Sequence, residues 1–178
     1  MPDVPATRTY VQLLAPSELI PAPEPAHAPR LSRVRPISAA GYRVLYRAVG
    51  GDWNWYERLA WGDAQLEAQL ARPEVHVWVL GDPRDPDGYF ELEQQADGAV
   101  EVVYFGLVAR AMGRGLGAWM LTRAAQEGWA LHPTRVWLHT CTLDSPRALP
   151  NYLARGFRPY RIEHYTAHLP GTDAPAGA

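Results

Sequence analysis

The chain has 178 residues, a length that suits one domain with a substantial core. Hydrophobic residues make up 47% and charged residues 20%, which excludes a disordered chain. The formal net charge of −2 argues against nucleic acid or an anionic membrane as a partner, and the single cysteine excludes an internal disulfide. No apolar run reaches the roughly 18 residues of a membrane span and no signal-peptide pattern is present, which predicts a cytoplasmic protein.

Apolar periodicity and turn residues predict the order of the elements. Residues 1–6 are expected to be a loose terminus, 7–14 a first strand, and 16–29, with five prolines, an extended connector. Later strands are expected at 31–36, 75–80, 89–96, 99–108, 136–141 and 158–167, and helices at 39–49, 116–131 and 146–154. Ser38 is expected to cap the first helix, and Asn54 and Asp63 to cap two further short ones.

The chain is expected to have three parts. Residues 1–30 hold the first strand and the connector, 31–168 form an α/β (α+β) domain, and 169–178 are a flexible tail of proline, glycine and alanine among other residues. The predicted order is a strand, helices, three strands that include a hairpin, and then a helix, a strand, a helix and a final strand.

A glycine-rich loop is the most informative stretch of the sequence. Residues 103–118 read VYFGLVARAMGRGLGA, so an apolar strand leads into a loop with alternate glycines and then into a helical pattern. Glycines leave backbone N–H groups uncovered, and at a helix N-terminus these groups and the macrodipole favour an anion. Arg114 adds a cation within the loop. The arrangement predicts phosphate binding rather than an ordinary turn between a strand and a helix.

Two nucleotide-binding motifs contain glycine-rich loops of this kind. The sequence G-x-x-x-x-G-K-[ST] is absent, so the loop is not a P-loop. Gly113, Gly115 and Ala118 do satisfy the dinucleotide fingerprint G-x-G-x-x-A. However, a hairpin precedes the loop, and the strand at 136–140 has no acidic residue for a ribose. Because the glycines fit the fingerprint but their context does not, an NAD- or NADP-dependent oxidoreductase is kept as the alternative function.

Two segments together resemble the GCN5-related N-acetyltransferases. Residues 112–117 resemble their acetyl-CoA loop, Q/R-x-x-G-x-G/A, with Met112 where glutamine or arginine is usual. Residues 144–157 resemble N-x-x-A-x-x-x-Y-x-x-x-G-F, with Ser145 in place of asparagine and an unusual Pro150. The residues that fit this second pattern are Ala148, Tyr152, Gly156 and Phe157. The resemblance covers residues 31–167, so residues 31–168 are expected to form an acetyltransferase domain.

The resemblance implies the acyl-CoA N-acyltransferase fold, which is a mixed central sheet with helices on both faces. It also implies transfer of acetyl from acetyl-CoA to a primary amine by direct attack. It places acetyl-CoA along Phe105, Gly106 and Leu107, with the oxyanion near the backbone of Leu107. The pyrophosphate is expected on Gly113, Arg114, Gly115, Leu116, Gly117 and Ala118. Tyr152 is expected to protonate the leaving thiolate, because a phenol proton stabilises developing negative charge on sulfur.

Glu101 is the preferred candidate for the base that the amine requires. It lies on the strand entering the glycine loop, at the position of the base in the histone-type branch of the resembling family. A two-residue turn at Asp97-Gly98 would place Glu101 opposite Gln94. Strand alternation would then set it among apolar side chains, which raise a carboxyl pKa, although a bulge in this strand would change its face. The expected neighbours on that face are Phe90, Leu92, Val103 and Phe105.

His139 is the competing candidate. It lies on the strand after the long helix, where another branch of the family carries its base, and an imidazole titrates in the required range without a shifted pKa. A buried structural histidine is the plainer interpretation of the same residue. No spacing of histidine, cysteine or acidic residues indicates a metal site.

Aromatic residues at 52–61 are candidates for the acceptor wall. Trp53, Trp55 and Tyr56 would suit an acceptor with an apolar or cationic part, and core packing explains a share of these rings. The expected partners are acetyl-CoA and an amine, either a small molecule or a peptide, with no nucleic acid or membrane. The protein is expected to be a monomer or homodimer. A non-catalytic acyl-CoA sensor is the third hypothesis.

Overall fold

The computed structural model of the protein describes residues 3–168. One seven-stranded sheet has the order β2-β3-β4-β5-β6-β1-β7. The strands are β1 (Asp3–Leu13), β2 (Leu31–Val34), β3 (Val75–Asp82), β4 (Asp85–Gln94), β5 (Val100–Leu107), β6 (Val136–Cys141) and β7 (Arg158–His168). The helices are α1 (Ala39–Gly50), α2 (Asp63–Ala71), α3 (Leu116–Trp129) and α4 (Ala148–Ala154). β5 and β6 are parallel, and the other neighbouring strands are antiparallel.

Helices lie on both faces of this mixed sheet, which confirms the predicted fold class. The α1 side chain Tyr42 hydrogen-bonds to Glu91 of β4 on one face. On the other face, Gly128 of α3 lies against Val100 and Val136, and a Cβ added there would meet Val136 Cγ2 at 3.2 Å. No helix among residues 3–168 combines the length and apolar character needed to cross a bilayer.

β1 lies between β6 and β7 and pairs with both. The prediction of a loose terminus at residues 1–6 is therefore wrong for residues 3–6, whose backbone is held by pairing with β7. This pairing links the two ends of the described chain, so local patterns could not reveal it. The predicted tail at 169–178 lies outside the described residues.

The proline-rich connector between β1 and β2 packs on the α3 and α4 side of the sheet. It begins with a 3-10 turn at Pro16–Glu18 and has little regular structure after it. The Ile20 N–H donates to the Arg155 carbonyl at 2.9 Å, and the Ala22 N–H donates to Thr122 Oγ1 at 2.9 Å. The connector is thereby fixed to both helices.

The β4–β5 hairpin differs from its prediction by one residue. Gln95 N–H donates to the Ala99 carbonyl at 2.8 Å, so the loop has three residues, with Gly98 at φ +82°. Glu101 consequently lies opposite Glu93 rather than Gln94.

A bulge in β5 completes the change of face. Between the pairs Leu92–Val102 and Glu91–Tyr104, β5 contains the extra residue Val103. Glu101 therefore shares its face with Glu91, Glu93 and Tyr104. The prediction that it faces Phe90, Leu92, Val103 and Phe105 is wrong, because the added loop residue places Glu101 opposite Glu93 and the bulge interrupts the alternation of β5 at Val103.

Helix caps follow the prediction in one case and depart from it in two. Ser38 Oγ accepts a hydrogen bond from the Gly41 N–H at 3.1 Å, which confirms the cap of α1. α2 is capped by Gly62, with Asp63 as its first residue. The short helix expected after Asn54 is a 3-10 turn at Glu57–Ala60, and Asn54 itself has left-handed backbone at φ +58°.

Candidate active site

The parallel strands β5 and β6 diverge, and this creates the main cavity. They pair at Val100–Val136 and Glu101–Trp137, and beyond these two pairs the strands make no further pairing within residues 3–168. A cavity of about 650 Å³ has walls from both strands, from the glycine loop and from the aromatic segment.

The glycine loop presents free backbone donors to this cavity. Gly113 and Gly115 have left-handed backbone at φ +76° and +77°, and Gly115 is the residue before α3. Within residues 3–168 the N–H groups of residues 113–118 make no hydrogen bond. A Cβ built on Gly113 would meet no atom within 4 Å, so space for a ligand lies beside the backbone. Such a cluster of N–H groups at a helix start suits a phosphate.

Most of the predicted cofactor residues line the cavity. They are Phe105, Gly106, Leu107, Gly113, Gly115, Gly117 and Ala118. Two do not. The Leu116 side chain is buried in the core, and Arg114 lies at a separate cavity of about 200 Å³ beside Pro25 and His27 of the connector. The backbone of both remains part of the loop.

Tyr152 also lines the cavity and is held by the end of α4. The helix ends in a Schellman motif, in which the Phe157 N–H donates to the Tyr152 carbonyl at 3.2 Å. Gly156 is required there because its φ is +94° and an added Cβ would come within 2.0 Å of the Glu18 carbonyl oxygen. Burial, and then the charge of Asp144, raise the pKa of the Tyr152 hydroxyl. The group therefore keeps its proton at neutral pH.

The start of α4 explains the unusual proline and links the helix to the loop. α4 begins at Ala148, later than predicted, so Pro150 falls in the first turn, where its missing N–H is not needed. Asn151 Nδ2 donates to the Gly117 carbonyl at 3.2 Å. Asn151 has no signal in the local sequence, because its role depends on the contact between α4 and the start of α3.

His139 and Glu101 lie together but differ in access to the cavity. His139 lines it, whereas Glu101 does not. Nε2 of His139 is 4.0 Å from Oε1 of Glu101, and their side chains are 36% and 15% exposed. Burial, followed by the charge of Glu93, raises the pKa of Glu101 from 4.5 to about 7. Burial, followed by the charge of Arg8, lowers the pKa of His139.

The aromatic segment forms the opposite wall. Trp53, Trp55 and Tyr56 line the cavity. Trp55 also packs on Tyr46 and Tyr104, with ring centroids 5.5 and 5.0 Å apart, so it belongs to both core and wall. The Tyr56 hydroxyl donates to the His168 carbonyl at 3.2 Å and connects this wall to β7.

A buried ion pair that the sequence analysis missed supports the aromatic segment. Glu91 is fully buried, accepts a hydrogen bond from Tyr42 and lies 3.2 Å from Nη2 of Arg58. The Arg58 guanidinium carbon lies 4.2 Å from the centre of the Trp61 ring. Arg58 belongs to the 3-10 turn at Glu57–Ala60, so the pair attaches this turn to β4.

Arg8 of β1 is a further cavity residue outside the sequence prediction. It reaches the site because β1 lies beside β6, which places Arg8 opposite Cys141. Within residues 3–168, no group of three potential metal ligands among histidine, cysteine and acidic side chains is present.

Comparison with family models gave no match, and comparison with curated proteins gave none. Solved structures are similar in fold. A GCN5-related N-acetyltransferase from Kribbella flavida is 20% identical with a TM-score of 0.63, over 93% of this chain and 58% of that one. An acetyltransferase of the same family from Novosphingobium aromaticivorans, described as putative, is 15% identical with a TM-score of 0.64, over 92% and 64%.

A third similar structure is an aminoglycoside acetyltransferase from an uncultured soil metagenomic sample, in complex with trehalose. It is 14% identical with a TM-score of 0.59, and the match covers 71% of this chain and 86% of that one. The chain spans 51% to 64% of the length of five similar structures, which include the first two described above. Residues 3–168 thus have the fold of the GCN5-related N-acetyltransferases.

Proposed function

We propose that the protein transfers the acetyl group of acetyl-CoA to a primary amine. The observation that carries this proposal is one continuous cavity that joins the free N–H groups of the glycine loop to His139 and Tyr152. Acetyl-CoA would supply an activated thioester. The loop N–H groups would bind its pyrophosphate, and the gap between β5 and β6 would take its pantetheine arm.

His139 is the residue that we assign to accept the amine proton. Its lowered pKa keeps the imidazole neutral near pH 7, so it can act as a base without further activation. Glu101, 4.0 Å away, would stabilise the imidazolium that results. The sequence favours Glu101 as the direct base. We assign His139 instead, because Glu101 does not line the cavity.

Tyr152 would complete the reaction on the other side of the thioester. Its hydroxyl has no hydrogen-bond partner among residues 3–168 and keeps its proton, so it can donate to the departing thiolate. Negative charge on the carbonyl oxygen would be stabilised by the backbone of β5 near Leu107. An amine attacks the carbonyl carbon directly, so no covalent enzyme intermediate is needed.

Isothermal titration with acetyl-CoA, CoA, NAD and NADP tests the first part of the proposal. Acetyl-CoA and CoA are expected to bind and the nicotinamide nucleotides are not. Release of the CoA thiol in the presence of a panel of amines then tests transfer. Binding of NAD or NADP in place of acetyl-CoA would support the oxidoreductase, and binding of acetyl-CoA without transfer to any amine would support the sensor.

A further inference from the structure

Arg8 places a cation in the wall of the cavity on the side of β1 and β7. Its guanidinium carbon lies 4.7 Å from the centre of the Tyr165 ring, and both residues line the cavity. The Arg8 side chain is 33% exposed, so it is neither a free surface group nor sealed in the core. The cation is therefore accessible from the cavity.

The polar contacts of Arg8 leave most of its donors unused. Among residues 3–168, Nη1 lies 3.5 Å from the Tyr10 hydroxyl and 3.6 Å from Oε2 of Glu163, and both contacts are long. Nε is buried without a hydrogen-bond partner. Glu163 is better satisfied by Tyr10, whose hydroxyl donates to it at 2.8 Å. A guanidinium with free donors is suited to a carboxylate, which it binds through two parallel hydrogen bonds.

Arg8 and His139 are diagonal neighbours on one face of the sheet. Arg8 pairs with Cys141 and Tyr10 pairs with His139, so the two side chains project from adjacent strands on the same side. Diagonal neighbours are about 7–8 Å apart at the backbone. Besides burial, the charge of Arg8 contributes to the lowered pKa of His139, so the guanidinium acts on the imidazole across this face of the cavity.

We propose that the acceptor carries a carboxylate close to its reactive amine and that Arg8 binds this carboxylate. This inference rests on the proposed function and specifies its substrate class as amino acids or related amino carboxylates. The carboxylate would take up the unused donors of Arg8, whereas a simple alkylamine would enter as a cation beside the guanidinium. The aromatic wall of Trp53, Trp55 and Tyr56 lies in the same cavity and favours an apolar or aromatic side group.

Conjugates of CoA test the inference without any need for turnover. The CoA sulfur is joined through an acetyl bridge to the nitrogen of glycine or phenylalanine, and the matched probes carry methylamine or phenethylamine. The two members of each pair differ in the carboxylate. Isothermal titration is expected to show that the carboxylate conjugate binds about ten- to a hundredfold more tightly in at least one pair, as for hydrogen bonds to a charged group.

Variants assign the difference to Arg8. Arg8→Gln is expected to abolish the preference for the carboxylate while leaving the affinity for acetyl-CoA unchanged, and Arg8→Lys is expected to keep part of it. The matched control is Arg161→Gln. Arg161 also lies near Glu163 and over an aromatic ring, at 3.6 Å and 4.8 Å, but does not line the cavity. This control should keep the full preference.

The possible outcomes distinguish failure of the Arg8 assignment from failure of the proposed acetyltransferase function. Equal affinities within both pairs, or a preference that survives Arg8→Gln, would overturn the role of Arg8. Binding of acetyl-CoA without binding of any conjugate would overturn it as well. Loss of all binding, acetyl-CoA included, would refute the proposed function instead. The comparison within each pair uses the unmodified protein, so it holds even where a variant does not fold.

Discussion

Nε2 of His139 and Oε1 of Glu101 are 4.0 Å apart, on parallel strands that separate immediately beyond this point. The histidine faces the cavity and the carboxylate lies behind it. A protonated imidazole at this distance is stabilised by an ionised carboxylate. The two candidates for the base are therefore neighbours that act on each other's charge.

Substitution of each neighbour should have a different effect on the rate. His139→Gln is expected to lower kcat/KM near pH 7.5 by about 10²–10⁴, the usual contribution of a general base. Glu101→Gln should lower it less and should move the acidic limb of the pH–rate profile to lower pH, because the imidazolium of His139 loses the neighbouring carboxylate that stabilises its charge. A severe effect of Glu101→Gln with a mild effect of His139→Gln would identify Glu101 as the base.

Glu101 should also make stability depend on pH. Its pKa is about 7 in the folded protein, above the 4.5 of an unperturbed glutamate, so the folded state binds the proton more tightly. The free energy of unfolding should therefore fall as pH rises from about 4.5 to 7, by at most about 3 kcal/mol. Urea unfolding of wild type and Glu101→Gln between pH 5 and 8.5 measures this. The variant should gain stability relative to wild type as pH rises, and parallel curves would contradict the assignment.

Tyr152→Phe retains the ring and removes the proton. The turnover rate is expected to fall by about 10²–10⁴ while the affinity for acetyl-CoA hardly changes, because the hydroxyl acts on the leaving thiolate. Steady-state kinetics and isothermal titration measure the two quantities. Tyr160→Phe is the control, since Tyr160 lies outside the cavity. Full activity of the Tyr152 variant would make Tyr152 a packing residue.

A methyl group in the glycine loop should weaken acetyl-CoA binding. Gly113→Ala places a Cβ in the open space beside the free N–H groups, at a residue with φ +76°. The left-handed backbone costs roughly 1–2 kcal/mol in stability, so a control with the same strain is needed. Gly98→Ala provides it, because Gly98 has φ +82° in the distant β4–β5 hairpin. Both variants should melt at lower temperature, and Gly113→Ala alone should lose affinity in titrations with acetyl-CoA.

The buried pair of Arg58 and Glu91 should be costly to break on one side. Arg58→Met leaves the Glu91 carboxylate buried without its cation, and a loss of about 3–5 kcal/mol in the free energy of unfolding is expected. Burial already raises the pKa of Glu91, and Arg58 opposes that rise. The double variant Arg58→Met with Glu91→Leu should be more stable than Arg58→Met alone. Additive losses in urea unfolding would show that the two residues are not coupled.

The local signals in the sequence predicted most elements of the fold. β6 has its predicted bounds, and the glycine loop joins a strand to a helix as expected. These features depend on neighbouring residues, such as the left-handed glycines and the apolar run before them. The register of the β4–β5 hairpin could not be predicted, because Asp97-Gly98 fits loops of two or three residues. The length of the loop decides which face of the sheet Glu101 occupies.

The missed site residues share a dependence on distant contacts. Arg8 reaches the cavity because β1 inserts beside β6, and Arg58 matters because its turn returns to β4. Neither of these long-range contacts produces a recognisable pattern in the sequence of a single segment. From the sequence alone, a buried glutamate such as Glu91 cannot be distinguished from a solvent-exposed glutamate on a strand, because its partner Arg58 lies far away in the chain.

The insertion of β1 between β6 and β7 has a consequence for how the protein folds. Leu13 pairs with Val136 and Asp3 with His168, so this part of the sheet forms across almost the whole described chain. Loop closure over such separations is slow, and the side of the cavity formed by β1, β6 and β7 should be among the last regions to become protected from hydrogen exchange. β7 occupies the sheet edge and pairs with β1 among the described strands. Deletion of residues 3–13 would therefore detach β7 along with β1 and leave β6 as a new exposed edge.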